Sequence, residues 1–123
     1  MLSKALQLQD RTKRFAISII RFCRGLPRGN EQWIISGQLI RSATSVAANY
    51  RAACRARSRA EFIAKVGIVV EEADETVFWL EVWGETQNAG PGDHASLLRE
   101  AQELLAIFAS SQKTMRLKGK ISK

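Results

Sequence analysis

One stretch of 22 residues constrains the fold of this chain more than any other, because its core-type residues recur every three or four positions. The spacing is 4-3-4-3-4-3 through Phe62, Val66, Val69, Ala73, Thr76, Leu80 and Trp83. Such a pattern keeps one side of an α-helix apolar for three heptads and is typical of helices that pack at a shallow angle in bundles. It predicts a long helix within an all-α protein.

Three further segments carry similar stripes, and short breaks that contain Gly and Pro separate them. The first stripe comprises Ala5, Leu8, Thr12, Phe15, Ile19, Phe22 and Leu26; the second comprises Trp33, Ile40, Ala43, Ala47, Tyr50 and Cys54, with Leu39 and Val46 at its edge; the last comprises Leu97, Ala101, Leu104, Phe108, Ser111 and Met115. We predict a single domain over residues 1–123, an antiparallel up-down-up-down four-helix bundle with helices at about 3–24, 30–57, 58–89 and 93–118.

Polar residues mark the predicted helix starts. Asn30 and Asp93 are good N-caps, and Ser58 with Glu61 three residues later has the pattern of a capping box. Gly25 is suited to follow the end of the first helix.

The helix at 58–89 has a second set of large apolar residues on the side away from its core stripe. They are Ile68, Phe78, Trp79 and Val82. A helix that is apolar on two sides needs cover on both, and in a monomeric four-helix bundle only one side has neighbours. We therefore predict a subunit interface there and a homo-oligomer. The alternative is a scatter of exposed apolar side chains, which is common on protein surfaces.

The residues needed for catalysis or metal binding are sparse. His94 is the single histidine and stands at a predicted helix start, which suggests a solvated imidazole, and Cys23 and Cys54 are expected to be buried free thiols. The pairs Glu72 with Glu75 and Glu71 with Asp74 have no histidine partner for a di-iron site, so they are interpreted as a face that is solvated or paired with basic residues. We predict no enzyme activity, no catalytic or metal-binding residues, no cofactor and no small-molecule substrate.

The N-terminal residues lack the apolar stretch of a signal peptide, and the longest apolar runs are too short to cross a membrane. A cytoplasmic protein without membrane contact is expected. The formal net charge is +7, but it is unevenly spread: residues 1–59 have a net charge of +10, residues 60–92 of −6 and residues 93–123 of +3. The excess positive charge favours polyanionic partners.

Basic residues are concentrated in two places. Arg51, Arg55 and Arg59 follow one another at four-residue spacing, and the C-terminal tail carries Lys113, Arg116, Lys118, Lys120 and Lys123 without an acid. These residues predict salt-dependent binding of RNA or DNA through phosphates, without base recognition. A structural adaptor that binds another protein is the alternative, with the basic residues serving solubility and pairing between helices.

Arg41, Ser45 and Asn49 lie four residues apart and so share one side of their helix. They could form side-chain hydrogen bonds to a neighbouring helix or subunit, or they could form a ligand site. The segment QLIRSATSVAANYR at 38–51 resembles the signature helix of small four-helix bundle proteins encoded in intervening sequences of bacterial 23S rRNA genes. Arg41, Ser45 and Asn49 match the family's Arg-x-x-x-Ser-x-x-x-Asn, and Glu61-Phe62 matches its next landmark.

The resemblance covers nearly the whole chain and implies a ring-like homo-oligomer, pentameric in known folds, with no catalytic residues. Relatives of the family include accessory proteins of diversity-generating retroelements, and for that branch the resemblance also implies contacts with nucleic acid and a reverse transcriptase. The Glu-Gly that often follows the family's Asn is replaced by Ala52-Ala53. No role of that glutamate carries over to this chain.

Overall fold

The structure, a computed structural model, describes residues 2–87 and 92–121. Four α-helices account for most of them: α1 Lys4–Arg24, α2 Asn30–Cys54, α3 Arg59–Thr86 and α4 Gly92–Ile121. No strand occurs within these two ranges, so the predicted all-α class and the four helices are confirmed. The helices α2 and α3 each end three residues before their predicted ends. The predicted break at 88–92 lies outside the described residues except for Gly92, with which α4 begins.

Each helix has two neighbours. Contacts join α1 to α2, α2 to α3 and α3 to α4, and α4 also contacts α1. Across the described part of the chain, the backbones of α1 and α3 do not approach within 8 Å, and neither do those of α2 and α4. The helices α1 and α3 therefore occupy diagonal corners of the bundle.

The predicted stripes of α3 and α4 form much of the core. Val69 and Leu80 are completely buried, and Leu104 and Phe108 of α4 are 1% exposed. Two buried hydroxyls lie among these apolar side chains: Thr76 of α3 donates to Ser42 of α2 over 2.8 Å, and it can also bond the Glu72 carbonyl oxygen at 2.8 Å. These polar groups are thus buried with hydrogen-bond partners, as core polar groups must be.

The predicted stripe of α2 is partly wrong. Trp33 is 80% exposed, whereas Leu39 and Val46, placed at the edge, are 0% and 1% exposed. The face that lies between α1 and α3 is centred on Ile35, Leu39, Val46 and Tyr50. Trp33 precedes Ile35 by two residues, which is about 200° around a helix, so burial of Ile35 turns Trp33 to the outside.

The predicted C-cap Gly25 of α1 is confirmed, and the predicted N-caps are right at one helix and wrong at two. Ser58 caps α3, its hydroxyl accepting from the Glu61 amide over 3.1 Å. The Glu61 carboxylate accepts from the backbone N–H of Arg57 rather than from that of Ser58. Asn30 is the first residue inside α2, because the Gly29 carbonyl already accepts the bond that closes the first turn. Asp93 likewise lies in the first turn of α4.

The contact between α1 and α4 is the least extensive of the four and contains a multiple ion pair. The Arg11 guanidinium binds both carboxylate oxygens of Glu100, at 2.9 and 2.7 Å, and one of Glu103 at 3.0 Å. A bidentate pair of this kind fixes orientation as well as distance. The hydrogen bond with Glu100 raises the pKa of Arg11, with Glu103 acting in the same direction, so this side chain stays charged.

His94 joins α4 to α3, which contradicts the expectation of a solvated imidazole. The ring is half-buried, and its Nε2 lies 2.6 Å from the carbonyl oxygen of Leu80. Because a carbonyl can only accept, Nε2 carries the hydrogen. The ring also lies against Gly84, where a Cβ would come within 2.6 Å of His94 Cε1. Burial occurs because the first turn of α4 packs directly on the end of α3.

Replacing Gly84 by Ala tests this contact. Gly to Ala inside a helix ordinarily stabilises a protein by roughly 0.5–1 kcal/mol, but at Gly84 we expect the free energy of unfolding to fall because the methyl group displaces His94. Gly37→Ala is the matched control, since a Cβ there meets nothing within 4 Å, and it should stabilise the protein. Urea unfolding measures both. In a His94→Ala background Gly84→Ala should also become stabilising, and continued destabilisation there would contradict the proposed clash.

Candidate nucleic-acid interface and docking surface

The connection between α2 and α3 places several arginines at one end of the bundle. Arg51 lies in the last turn of α2, Arg55 is the residue at its C-cap, and Arg59 is the first residue of α3. The four-residue spacing of these arginines would place them on successive turns of one helix, and that arrangement is wrong. The helix ends at Cys54 because Arg55 and Ala56 close tight turns with Ala52 and Ala53, and the arginines are distributed around the turn.

Arg59 brings the C-terminal basic residues to the same end. Its Nη2 donates to the backbone carbonyl oxygen of Met115 in α4 over 2.9 Å. Lys113 and Arg116, on either side of Met115, are exposed. The two basic clusters that are more than 50 residues apart in sequence thus lie together at one end of the bundle. Lys118 is exposed nearby, whereas the Lys120 side chain and Lys123 lie outside what the structure describes.

The positive charge at this end is poorly compensated. Glu61 is the acid nearest in sequence to the turn, and its carboxylate accepts from a backbone N–H of Arg57 at 3.4 Å. Of the described ion pairs, none involves Arg51, Arg55, Arg59, Lys113 or Arg116. Unpaired guanidinium and ammonium groups in solvent are available to phosphate oxygens.

Arg41 lies elsewhere, at the rim of the contact between α2 and α3. Its Nη1 is 2.7 Å from Glu72 Oε2 and its Nη2 is 2.5 Å from Glu75 Oε2. The hydrogen bond from Arg41 lowers the pKa of the Glu75 carboxyl, and burial opposes this effect only in part. Arg41 thereby joins two helices. A side-chain hydrogen bond to a neighbouring helix is one of the two roles that the sequence suggested for this residue.

Ser45 and Asn49 continue the same side of α2 with a local contact. The Asn49 amide donates to the Ser45 hydroxyl and to the Ser45 carbonyl oxygen, each over 2.9 Å. Both side chains are half-buried. The hydrogen bonds between Ser45 and Asn49 therefore lie within α2, whereas Arg41 bonds to α3.

The four apolar residues on the far side of α3 differ in exposure. Ile68 is 38% exposed and Phe78 is 53% exposed, whereas Trp79 and Val82 are half-buried and pack against the core. Trp79 donates from Nε1 to Glu75 over 3.3 Å, and its ring meets that of Phe78 edge to face, with centroids 5.0 Å apart. A chain of contacts from Arg41 through Glu75 and Trp79 therefore orients Phe78 toward solvent.

Few groups capable of chemistry come together. No set of three His, Cys, Asp or Glu side chains with metal-binding geometry occurs in the described ranges. Cys23 and Cys54 are both half-buried free thiols, and burial raises the pKa of Cys23, which keeps it in the unreactive thiol form. None of the described helices is long and apolar enough to span a membrane.

Sequence reasoning missed the exposed indole of Trp33, which it had assigned to the core. Next to it, Ile34 is 52% exposed. The signal that could have found this surface is the position of Trp33 two residues before Ile35, which places the two side chains on opposite sides of α2.

Replacing Arg41 tests the bridge between α2 and α3. Arg41→Gln should lower the free energy of unfolding by roughly 1 kcal/mol at pH 7, a modest value because the side chain is 48% exposed. The folded-state pKa of Glu75 is lowered, so the unfolded chain binds the proton first as the pH falls. The bridge therefore contributes fully above the ordinary pKa of 4.5 and is lost as the pH falls through the folded-state value.

Denaturant titrations at pH 7 and pH 3 measure this difference. The gap between wild type and Arg41→Gln should be clear at pH 7 and should shrink at pH 3. Arg14→Gln is the control, because Arg14 is 78% exposed and its one ion pair among the described residues is with Asp10 on its own helix. A gap that is equal at both pH values would show that Arg41 acts through packing rather than through its carboxylate partners.

Comparison with known proteins shows a family and a solved structure to which this chain is similar. A family model described as 23S rRNA-intervening sequence protein matches residues 4–110. The crystal structure of a protein with unknown function from the S23 ribosomal protein family of Bacteroides thetaiotaomicron is similar, with a TM-score of 0.77 and 33% sequence identity. The similarity covers 85% of this chain and 97% of that one. No curated protein matches the sequence.

Proposed function

The chain belongs to the 23S rRNA-intervening sequence protein family, as its signature segment predicted, and from this premise we propose that it is a non-enzymatic homo-oligomer that binds RNA or DNA through phosphates. The observation that supports binding most directly is the meeting of the α2–α3 turn and the end of α4. There Arg51, Arg55, Lys113 and Arg116 share one end of the bundle with no ion pair among the described residues.

Electrostatics explains why such an end would attract nucleic acid. At ionic strengths near 0.15 M, charges more than about 8 Å apart are largely screened from one another, so distant acids neutralise this end little. After Glu61, the next acid of α3 is Glu71, twelve residues after Arg59. Twelve residues span roughly 18 Å along a helix, at 1.5 Å per residue. Repetition of the basic end on each subunit would turn weak phosphate contacts into avidity.

The protomer that we propose is an antiparallel up-down-up-down bundle in a ring-like assembly, most simply a pentamer. Two contacts support this topology: the start of α3 meets the end of α4 at Arg59 and Met115, and the end of α3 meets the start of α4 at Leu80 and His94. We place the protein in the cytoplasm. No cofactor is required for this role, and a reverse transcriptase is a further proposed partner.

A second candidate function, a protein–protein adaptor, is favoured by one observation. Phe78 exposes half of its surface, and Trp79 holds it in that orientation. Exposed aromatic side chains with fixed orientation are common anchors of protein interfaces. The two candidates differ in whether nucleic acid binds at all.

Retention of labelled RNA and DNA at increasing salt distinguishes them. Binding should fall steeply with salt, and Arg51→Gln and Arg55→Gln should each reduce the slope of log affinity against log salt by about one. Lys113→Gln and Arg116→Gln should do the same. Arg14→Gln, which removes an exposed arginine far along α1, should leave the slope unchanged. No retention at low salt would favour the adaptor.

Assembly is tested separately by light scattering at micromolar protein concentration. The wild type should have a mass that is a multiple of 13.7 kDa, and Phe78→Glu should dissociate it with its helicity kept. Leu117→Glu is the matched control, because Leu117 is 50% exposed on another helix and should tolerate the charge. A wild-type mass near 13.7 kDa would contradict the oligomer.

A further inference from the structure

The outward side of α3 carries a second regular stripe, which combines apolar and acidic residues. At 3-4-3-4-3 spacing it contains Ile68, Glu71, Glu75, Phe78, Val82 and Glu85, and we refer to it as the acidic–apolar stripe. Beyond Lys65 the helix has no Lys or Arg. Glu71 and Glu85 are exposed, and neither takes part in an ion pair with another described residue. This surface is therefore both apolar and negatively charged.

The outward side of α1 has the opposite charge. Leu6, Lys13, Ile17 and Arg24 follow at spacings of seven, four and seven and so share one face, which we call the basic–apolar stripe. Leu6 is 49% exposed and Ile17 is 37% exposed. Lys13 and Arg24 are exposed without an ion pair in the part of the chain that the structure describes. Arg24 also lines a hollow of about 610 Å³ together with Trp33.

The two stripes lie on different sides of the bundle. Among the described residues, α1 and α3 both contact α2 and α4 but not each other, so they stand at diagonal corners. One copy can therefore present the acidic–apolar stripe to one neighbour and the basic–apolar stripe to another at the same time.

We propose that the acidic–apolar stripe of one copy docks on the basic–apolar stripe of α1 in the next copy. This proposal rests on the homo-oligomer proposed above and names the two surfaces that contact each other in it. Phe78 and Val82 lie between Glu71 and Glu85, and Ile17 lies between Lys13 and Arg24, so an apolar centre is flanked by charges on both sides.

The dimensions of the two stripes agree. At 1.5 Å per residue, Glu71 and Glu85 are about 21 Å apart along α3, and Lys13 and Arg24 are about 16 Å apart along α1. The side chains of Lys13 and Arg24 are long and flexible, so they can span the difference of about 5 Å. A symmetric contact of α3 with α3 would instead oppose acids to acids, which costs free energy. The contact is thus head-to-tail, and a head-to-tail contact makes rings when its rotation closes.

Charge exchange between the stripes tests the proposal. Glu71→Lys with Glu85→Lys should dissociate the wild-type assembly, and so should Lys13→Glu with Arg24→Glu. The chain that carries all four changes has both stripes reversed and should assemble again to the wild-type mass. In an equimolar mixture of the two double variants each contact between unlike chains is complementary, so the mixture should form larger assemblies than either variant alone. Light scattering and sedimentation give the masses, and circular dichroism checks that each chain is helical.

Arg99→Glu is the control, because it reverses an exposed charge on α4 outside both stripes and outside the basic end, and it should not change the mass. Assembly that survives Lys13→Glu with Arg24→Glu would overturn the proposal, since the acidic–apolar stripe would then bind some other surface or protein. Failure of the four-change chain to reassemble, with normal helicity, would overturn it as well. Nucleic-acid retention is measured independently, so loss of that activity with assembly intact would sink only the binding function.

Discussion

Between α2 and α3, the hydroxyls of Thr76 and Ser42 share a hydrogen bond of 2.8 Å in the core, while Arg41 binds Glu72 and Glu75 at the rim. This is also the most extensive helix pair of the bundle. The hydroxyl pair forms in one register only, because a shift along or around either helix would separate the two oxygens. Each hydroxyl would then keep only an acceptor in its own helix, the Glu72 carbonyl for Thr76 and the Leu39 carbonyl for Ser42. The contact therefore ties the rotation of α2 about its axis to that of α3.

The rotation that the core hydroxyls require also determines the outward surface. It places Glu75 where Arg41 and Trp79 both reach it, and Trp79 in turn lies against Phe78. The motif residue Arg41 therefore has a structural task that extends beyond the α2–α3 contact, because it organises the aromatic residues on the outside of α3. Arg41 also offsets the repulsion between the Glu72 and Glu75 carboxylates. The helix α3 itself has no basic residue beyond Lys65 that could do so.

Folding turns the separation of charge along the sequence into a separation in space. The basic turn after α2 and the end of α4 meet through Arg59, while most acids of α3 lie further along its axis and outward. The proposed phosphate contacts and the proposed contacts between copies thus use different parts of the protomer. Neither surface needs residues of the other, so one assembly could carry out both tasks.

Local periodicity was enough to predict the helix class, the number of helices and the core stripes of α3 and α4, because each of these helices has a single dominant apolar face. In α2 the periodicity is shared among overlapping stripes, and only its neighbours α1 and α3 decide that Leu39 is buried and Trp33 is exposed. Capping at Ser58 was predictable because it is local, whereas the contact of His94 with Leu80 was not, because it joins two helices. The meeting of Arg59 with Met115 was likewise decided by tertiary structure, since sequence spacing measures distance along one helix and contains no information about which helix ends meet.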